Sequence, residues 1–133
     1  VREIGEYAFS GRYNSPILRF PDGLRTIRGS AFINCNMSGI HIPDSVTFIG
    51  PNTFAGCQYL TVVKVSSSLL ESIQSGTFSG CGNLSIVQLP EGLKSIGKHA
   101  FKDCGSLKNV YIPSSVTSVA EDAFLNCPAS NQE

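Results

Sequence analysis

Five cysteines, at Cys35, Cys57, Cys81, Cys104 and Cys127, are the residues of this 133-residue chain best suited to chemistry. Thiolates ligate zinc, exchange disulfides and act as nucleophiles. A zinc site needs clustered ligands, however, and here successive cysteines lie 22 to 24 residues apart. That spacing predicts one thiol per structural unit, stacked into a core ladder. Turns stacked about 4.8 Å apart would bring the Cα atoms into disulfide range, but in-register side chains point the same way and suit the bond's torsion badly. Free, buried thiols are therefore expected, inert because apolar burial raises a thiol's pKa. His41 and His99 occupy non-equivalent positions with no third ligand nearby in sequence and read as surface histidines. Ser95-Ile96-Gly97-Lys98 matches the Ser-x-x-Lys of some acyl-transfer enzymes, but Thr26-Ile27-Arg28-Gly29 and Ser72-Ile73-Gln74-Ser75 stand in the same place and carry no lysine. No glycine-rich phosphate loop is present. Asn36-Met37-Ser38 and Asn83-Leu84-Ser85 fit the N-glycosylation triplet, yet their central residues hold a buried position, so they are expected to be unused. The residues predict no catalytic site, no metal and no cofactor.

The cysteines belong to a repeat. Phe9, Phe32, Phe54, Phe78, Phe101 and Phe124 recur at intervals of 23, 22, 24, 23 and 23 residues. Ala8, Ala31, Thr53, Thr77, Ala100 and Ala123 precede them, and Ile4, Ile27, Ile49, Ile73, Ile96 and Val119 stand five residues before. Each cysteine follows its Phe by three, with Arg12 taking the place in the first unit. The uneven intervals have locations: one residue is missing between Cys35 and Ile40. One is inserted near Ser67 and Ser68, just after Ser66 replaces the proline found at Pro21, Pro43, Pro90 and Pro113.

Six units start near residues 4, 27, 49, 73, 96 and 119, in one domain spanning 1–128. The fifth unit is the cleanest: Val110-Tyr111-Ile112 alternates as a half-buried strand does, Pro113 ends its ladder, and Ser115 to Val119 forms a second short extended stretch. Between strands, Gly97 to Cys104 predicts a turn or two of helix, with Lys98, His99, Lys102 and Asp103 facing water. A single unit cannot bury its Leu, Val, Ile, Phe, Ala and Cys, whereas stacked units form continuous internal ladders. The fold predicted is a solenoid.

Leu107-x-x-Val110-x-Ile112, Leu84-x-x-Val87-x-Leu89 and Leu60-x-x-Val63-x-Val65 form the leucine-rich-repeat signature, preceded by Ile-Gly-x-x-Ala-Phe-x-x-Cys and followed by Pro-x-Ser-Val-Thr. From Ile4 to Cys127 the chain closely resembles the BspA-like, treponemal-type leucine-rich repeats, departing at Arg12, Ser15, Ser66 and the two length changes. The resemblance implies a β-rich α/β repeat protein: a right-handed solenoid of six ~23-residue units with parallel concave strands and short convex helical turns. It also implies a cell-surface or secreted protein that binds host or neighbouring-cell components. In such a fold the outward residues of the concave strands align. Arg19, His41, Lys64, Gln88 and Tyr111 form one row without an acid, and Ile17, Gly39, Val62, Ile86 and Asn109 form a second that is rich in aliphatics. Apolar side chains flanked by polar ones mark interaction patches, so Ile17, Arg19, His41, Val62, Lys64, Ile86, Gln88, Asn109 and Tyr111 are the candidate protein-binding residues. Plain β-propensity is the competing explanation for the aliphatics.

Ten basic and ten acidic residues cancel, so the chain carries no electrostatic footprint for nucleic acid. No apolar run approaches the ~18 residues of a membrane span. All five arginines fall within the first 28 residues and all five lysines from Lys64 onward, which leaves a nearly neutral, Ser- and Thr-rich middle suited to uncharged contacts. The sequence starts at Val1 without a signal-peptide pattern and lacks polar capping units, so it is expected to be part of a longer array. Residues 129–133 are expected to form a frayed tail, and open strand edges to permit end-to-end self-association. Taken with the resemblance, which implies the adhesive role and host extracellular matrix or cell-surface proteins as partners, the expected function is a non-enzymatic protein-interaction or adhesion module. The alternatives are a structural spacer, or the recognition part of a larger enzyme or sensor.

Overall fold

The computed structural model describes residues 2–12 and 14–131, and it is a solenoid built on two strips of parallel strands. The leucine-signature segments form the first strip. Gly39–Ile42 (β4), Val62–Val65 (β6) and Ile86–Gln88 (β8) follow Ile17–Leu18 (β2) in the sheet order β2-β4-β6-β8. Alternation puts Ile40, Val63 and Val87 inward, with His41, Lys64 and Gln88 outward between them. Strand length follows the proline position. Ser66, the one residue there that keeps an N–H, donates to the Ile42 carbonyl at 3.1 Å and extends the β4–β6 pair. The other units have proline at that place and cannot make the bond. The expected strand at Val110–Ile112 is not a strand among the described residues, and the sheet ends at β8. That segment has a neighbouring described strand on one side only, and Pro113 cannot continue a ladder.

The isoleucine positions form the second strip. Glu3–Ile4 (β1), Thr26–Ile27 (β3) and Phe48–Ile49 (β5) make one sheet, and Ser72–Ile73 (β7), Ser95–Ile96 (β9) and Ser118–Val119 (β10) another. Ile4, Ile27 and Ile49 are in register, as are Ile73, Ile96 and Val119. The break between β5 and β7 coincides with the inserted residue. There the longer loop is tied back by the Ser67 hydroxyl, which donates to the carbonyls of Val46 at 2.6 Å and Asp44 at 3.1 Å.

The short convex helical turns predicted around Gly97 to Cys104 and its equivalents are absent. The only helical element among the described residues is the 3₁₀ turn Pro128–Asn131. Backbone conformation explains why. Two residues before the Phe (Tyr7, Ser30, Asn52, Gly76, His99) and two after it (Gly11, Asn34, Gly56, Gly80, Asp103, Asn126) the chain is left-handed, with φ between 56° and 77°. A reversal every four residues stops a helix before its first full turn and aims alternate N–H groups at the next coil. Ala8 and Ser10 donate within their own coil, to Gly5 and Tyr7, whereas Phe9 and Gly11 donate at 2.8 Å to Ala31 and Ile33 in the next. The same alternation recurs at Phe32, Phe54, Phe78 and Phe101. Segments expected to satisfy their backbone locally are therefore stitched between coils.

The core lies between the strips and this turn segment. Phe32, Phe54, Phe78 and Phe101 are fully buried, and the six repeat phenylalanines stack with centroids 5.0 to 5.6 Å apart and planes within 6° to 14°. Offset stacking of this kind adds to area burial about 0.5–1.5 kcal/mol per pair. Glycine after the isoleucine permits close approach: a Cβ on Gly50 would meet the backbone nitrogen of Gly29, and one on Gly97 would lie 2.9 Å from the nitrogen of Ser75. The expected tail begins at Ala129. Ala129 is buried and donates its N–H to the Leu107 carbonyl at 2.9 Å, because Pro128–Asn131 folds back over the last core layer. Residues 132 and 133 of that predicted tail lie outside the described residues.

Candidate functional site

The five cysteines are free and buried, as their spacing predicts. They are also hydrogen bonded. The thiols of Cys35, Cys57, Cys81 and Cys104 each donate to the phenylalanine carbonyl of the preceding unit, at 2.9, 3.3, 3.2 and 3.2 Å. Burial pushes the Cys104 thiol up to about 12, with the neighbouring Cys127 adding to the rise. The Cys81 thiol is raised by its contact with Cys57 and by burial, while that same contact draws Cys57 down against its own burial. Enclosure of this kind suits packing and not nucleophilic attack. Among the described residues no three His, Cys, Asp or Glu side chains cluster to hold a metal.

The candidate binding residues lie mainly on the β2-β4-β6-β8 sheet. Ile17, Gly39, Val62 and Ile86 pair in one register line, and His41, Lys64 and Gln88 in a second. Arg19, Asn109 and Tyr111 stand outside the strands but are exposed. Val62 and Ile86 are neighbours in the first line and are 38% and 57% exposed, on a sheet whose other face is buried. Tyr111, 70% exposed, extends the second line's side by one coil. The His41 Nε2 lies 2.7 Å from the Ser66 Oγ, linking the row to the substituted proline position.

A further row borders these lines, and sequence reading missed its role. The hydroxyls of Ser38, Thr61 and Ser85 donate to the carbonyls of Pro16, Ser38 and Thr61, at 2.8, 3.0 and 3.3 Å. Each satisfies a carbonyl of the coil before it and so fixes the sheet's entrance. Recurrence of Ser or Thr just before the aliphatic row was its signal. Ser38 and Ser85 are also the third residues of the two glycosylation triplets, whose central Met37 and Leu84 are fully buried.

A repeat of this geometry, with internal Ile, Phe, Cys and Leu ladders running through most coils, is matched by the family model for the BspA type leucine rich repeat region, in six copies over residues 2–131. The chain belongs to the BspA-type leucine-rich repeat family. Among solved structures, a leucine rich cell surface protein from Faecalibacterium prausnitzii is 36% identical, with a TM-score of 0.83 over 87% of this chain and 31% of its own. The leucine rich repeat protein of T. pallidum is 31% identical, with a TM-score of 0.77 over 86% of this chain and 55% of its own. A leucine-rich repeat protein from Eubacterium ventriosum is 27% identical, with a TM-score of 0.71 over 96% of this chain and 41% of its own. The BspA-type chain described here thus spans about a third to just over half the length of these solved chains. No curated protein matches it. Among the described residues, no helix is long and apolar enough to cross a membrane.

Proposed function

We propose that this BspA-type solenoid is a non-enzymatic recognition module of a cell-surface or secreted protein, binding a protein partner on the outer face of the β2-β4-β6-β8 sheet. The observation that carries the reading is the in-register exposure of Val62 and Ile86 beside the outward polar line His41, Lys64 and Gln88. Water-facing aliphatics on adjacent strands gain free energy when covered, and flanking polar groups supply register and orientation. The four strands and the Tyr111 segment together span roughly 19 Å at strand spacing, enough for an extended peptide or one edge of a folded partner. The cationic side chains Arg19 and Lys64, with no acid in their row, favour partners that are neutral or acidic where they touch. The surface-exposed setting draws on the F. prausnitzii relative, described as a cell surface protein. Host extracellular matrix proteins are the first partners to test. Stacking of two copies end to end belongs to the same reading, through strand edges left open in the sheet. Sedimentation velocity across a concentration series would detect it.

The test is binding of the purified chain to a panel of matrix proteins, beside the double variant Val62→Glu, Ile86→Glu. Saturable binding by the native chain, reduced at least tenfold in a variant of unchanged circular dichroism, supports the recognition face. Equal binding by both overturns it, and no binding by either favours a spacer role for these repeats.

A further inference from the structure

The coil with the inserted residue borders a groove. Ser66 replaces the proline, an extra residue follows it, and a cavity of about 460 Å³ opens beside that loop across the third, fourth and fifth coils. Ser66, Ser68, Gln88, Glu91 and Tyr111 line it, over a floor that includes the buried Leu89. We infer that this groove is a binding site for a neutral saccharide, a pyranose unit held against Tyr111; it shares Gln88 and Tyr111 with the outward polar row of the sheet face, but Val62 and Ile86 do not line it.

Three features point to that ligand class. The first is the availability of polar groups. Several hydroxyls bridge successive coils: those of Ser38, Thr61, Ser67 and Ser115 donate to carbonyls. In the groove, the Ser68 hydroxyl, the Gln88 amide, the Glu91 carboxylate and the Tyr111 hydroxyl make no side-chain hydrogen bond among the described residues. Together they offer donors and acceptors in the mixture that a ligand carrying several hydroxyls requires. The second is an aromatic ring 70% exposed, whose face can cover the C–H surface of a sugar ring. The third is charge: the lining holds one carboxylate and no cation, which disfavours anionic ligands and leaves Glu91 to accept from vicinal hydroxyls. The volume lies within the roughly 300–1,000 Å³ of small-molecule sites. Ser66, already linked to His41 at 2.7 Å, ties one wall to the sheet.

The experiment is titration of the full chain with methyl pyranosides (glucoside, galactoside and N-acetylglucosaminide), followed by protein-observed NMR. Saturable shifts are expected at Gln88, Glu91 and Tyr111, with affinity reduced at least tenfold by Tyr111→Ala and less than threefold by Tyr111→Phe. Glu91→Gln, which keeps an acceptor, should weaken binding only several-fold. Val62→Glu should leave sugar binding unchanged, so loss of the protein-binding face and loss of this site are separable. A parallel titration with N-acetyl-lysine methylamide tests the rival in which Tyr111 and Glu91 cradle a cation. Binding of that probe but of no pyranoside, absence of saturable shifts with all three sugars, or binding indifferent to Tyr111→Ala would each overturn the assignment. Tyr111 is exposed, so its variants are expected to fold, and a denaturation midpoint checks this.

Discussion

The phenylalanine and cysteine side of the solenoid and its β2-β4-β6-β8 face obey different rules. On the first, the coils repeat nearly the same residues, with Arg12 in place of one cysteine: rings stack, thiols donate to carbonyls, and alternate N–H groups reach the next coil. On the second, the inward positions repeat, but the outward ones change from Arg19 to His41, Lys64, Gln88 and Tyr111. Positions that must satisfy both neighbouring coils are held constant, whereas those facing water are free to vary. Variation on the sheet face is what the proposed recognition role requires, and uniformity on the other side is what stacking requires.

Substitutions on the two sides should separate these roles. The largest effect is expected from Phe78→Ala, which removes a fully buried ring stacked on both sides and should cost about 3–5 kcal/mol in urea denaturation. A loss below ~1 kcal/mol would show that the ladder does not hold the coils together. Next comes Gly50→Ala, whose new methyl would press on the Gly29 backbone. A loss of about 2–3 kcal/mol, with a lower melting temperature, is expected. Alkaline titration gives the third. The Cys104 thiol is held up near 12 in the folded chain and titrates near 9 when unfolded, so the unfolded state gives up its proton first. Stability from this group is complete below pH ~9 and falls by about 1.4 kcal/mol per pH unit between roughly 9 and 12. Cys104→Ala should flatten that decline, and an unchanged slope would contradict the assigned burial. A smaller, opposite effect is expected where the turn segment is strained. His99 sits at φ 61°, and His99→Gly should change stability by about +0.5 kcal/mol, read as a higher urea midpoint.

The solenoid was legible because Phe, Ala or Thr, Ile and Cys each recur in step, and only stacking buries all of them. The helical turns were misread because Lys98, His99, Lys102 and Asp103 look like an exposed helical face. The corrective signal was present in the same stretch: Gly, Asn, Asp or Ser stand at most positions two before and two after each Phe, and these residues tolerate left-handed backbone. Ala129 was assigned to a frayed tail because its sequence neighbours are small and polar, while its anchor, the Leu107 carbonyl, lies a full coil away. The two outward rows followed directly from strand alternation. The groove did not. The oddity of Ser66 was plain in the sequence, but bringing it beside Glu91 and Tyr111 depends on how an inserted residue is accommodated across three coils.

The most direct test of the division between the two sides compares three chains against one matrix partner that the native protein binds. These are the native chain, the Val62→Glu, Ile86→Glu variant, and Tyr59→Glu, which places one such carboxylate on a residue 62% exposed outside the strand rows. Affinity lost at least tenfold in the double variant and kept within twofold in Tyr59→Glu, with all three denaturing at the same urea concentration, is the predicted result. Equal affinity across all three, or equal loss in both variants, would contradict a recognition surface confined to the strand face.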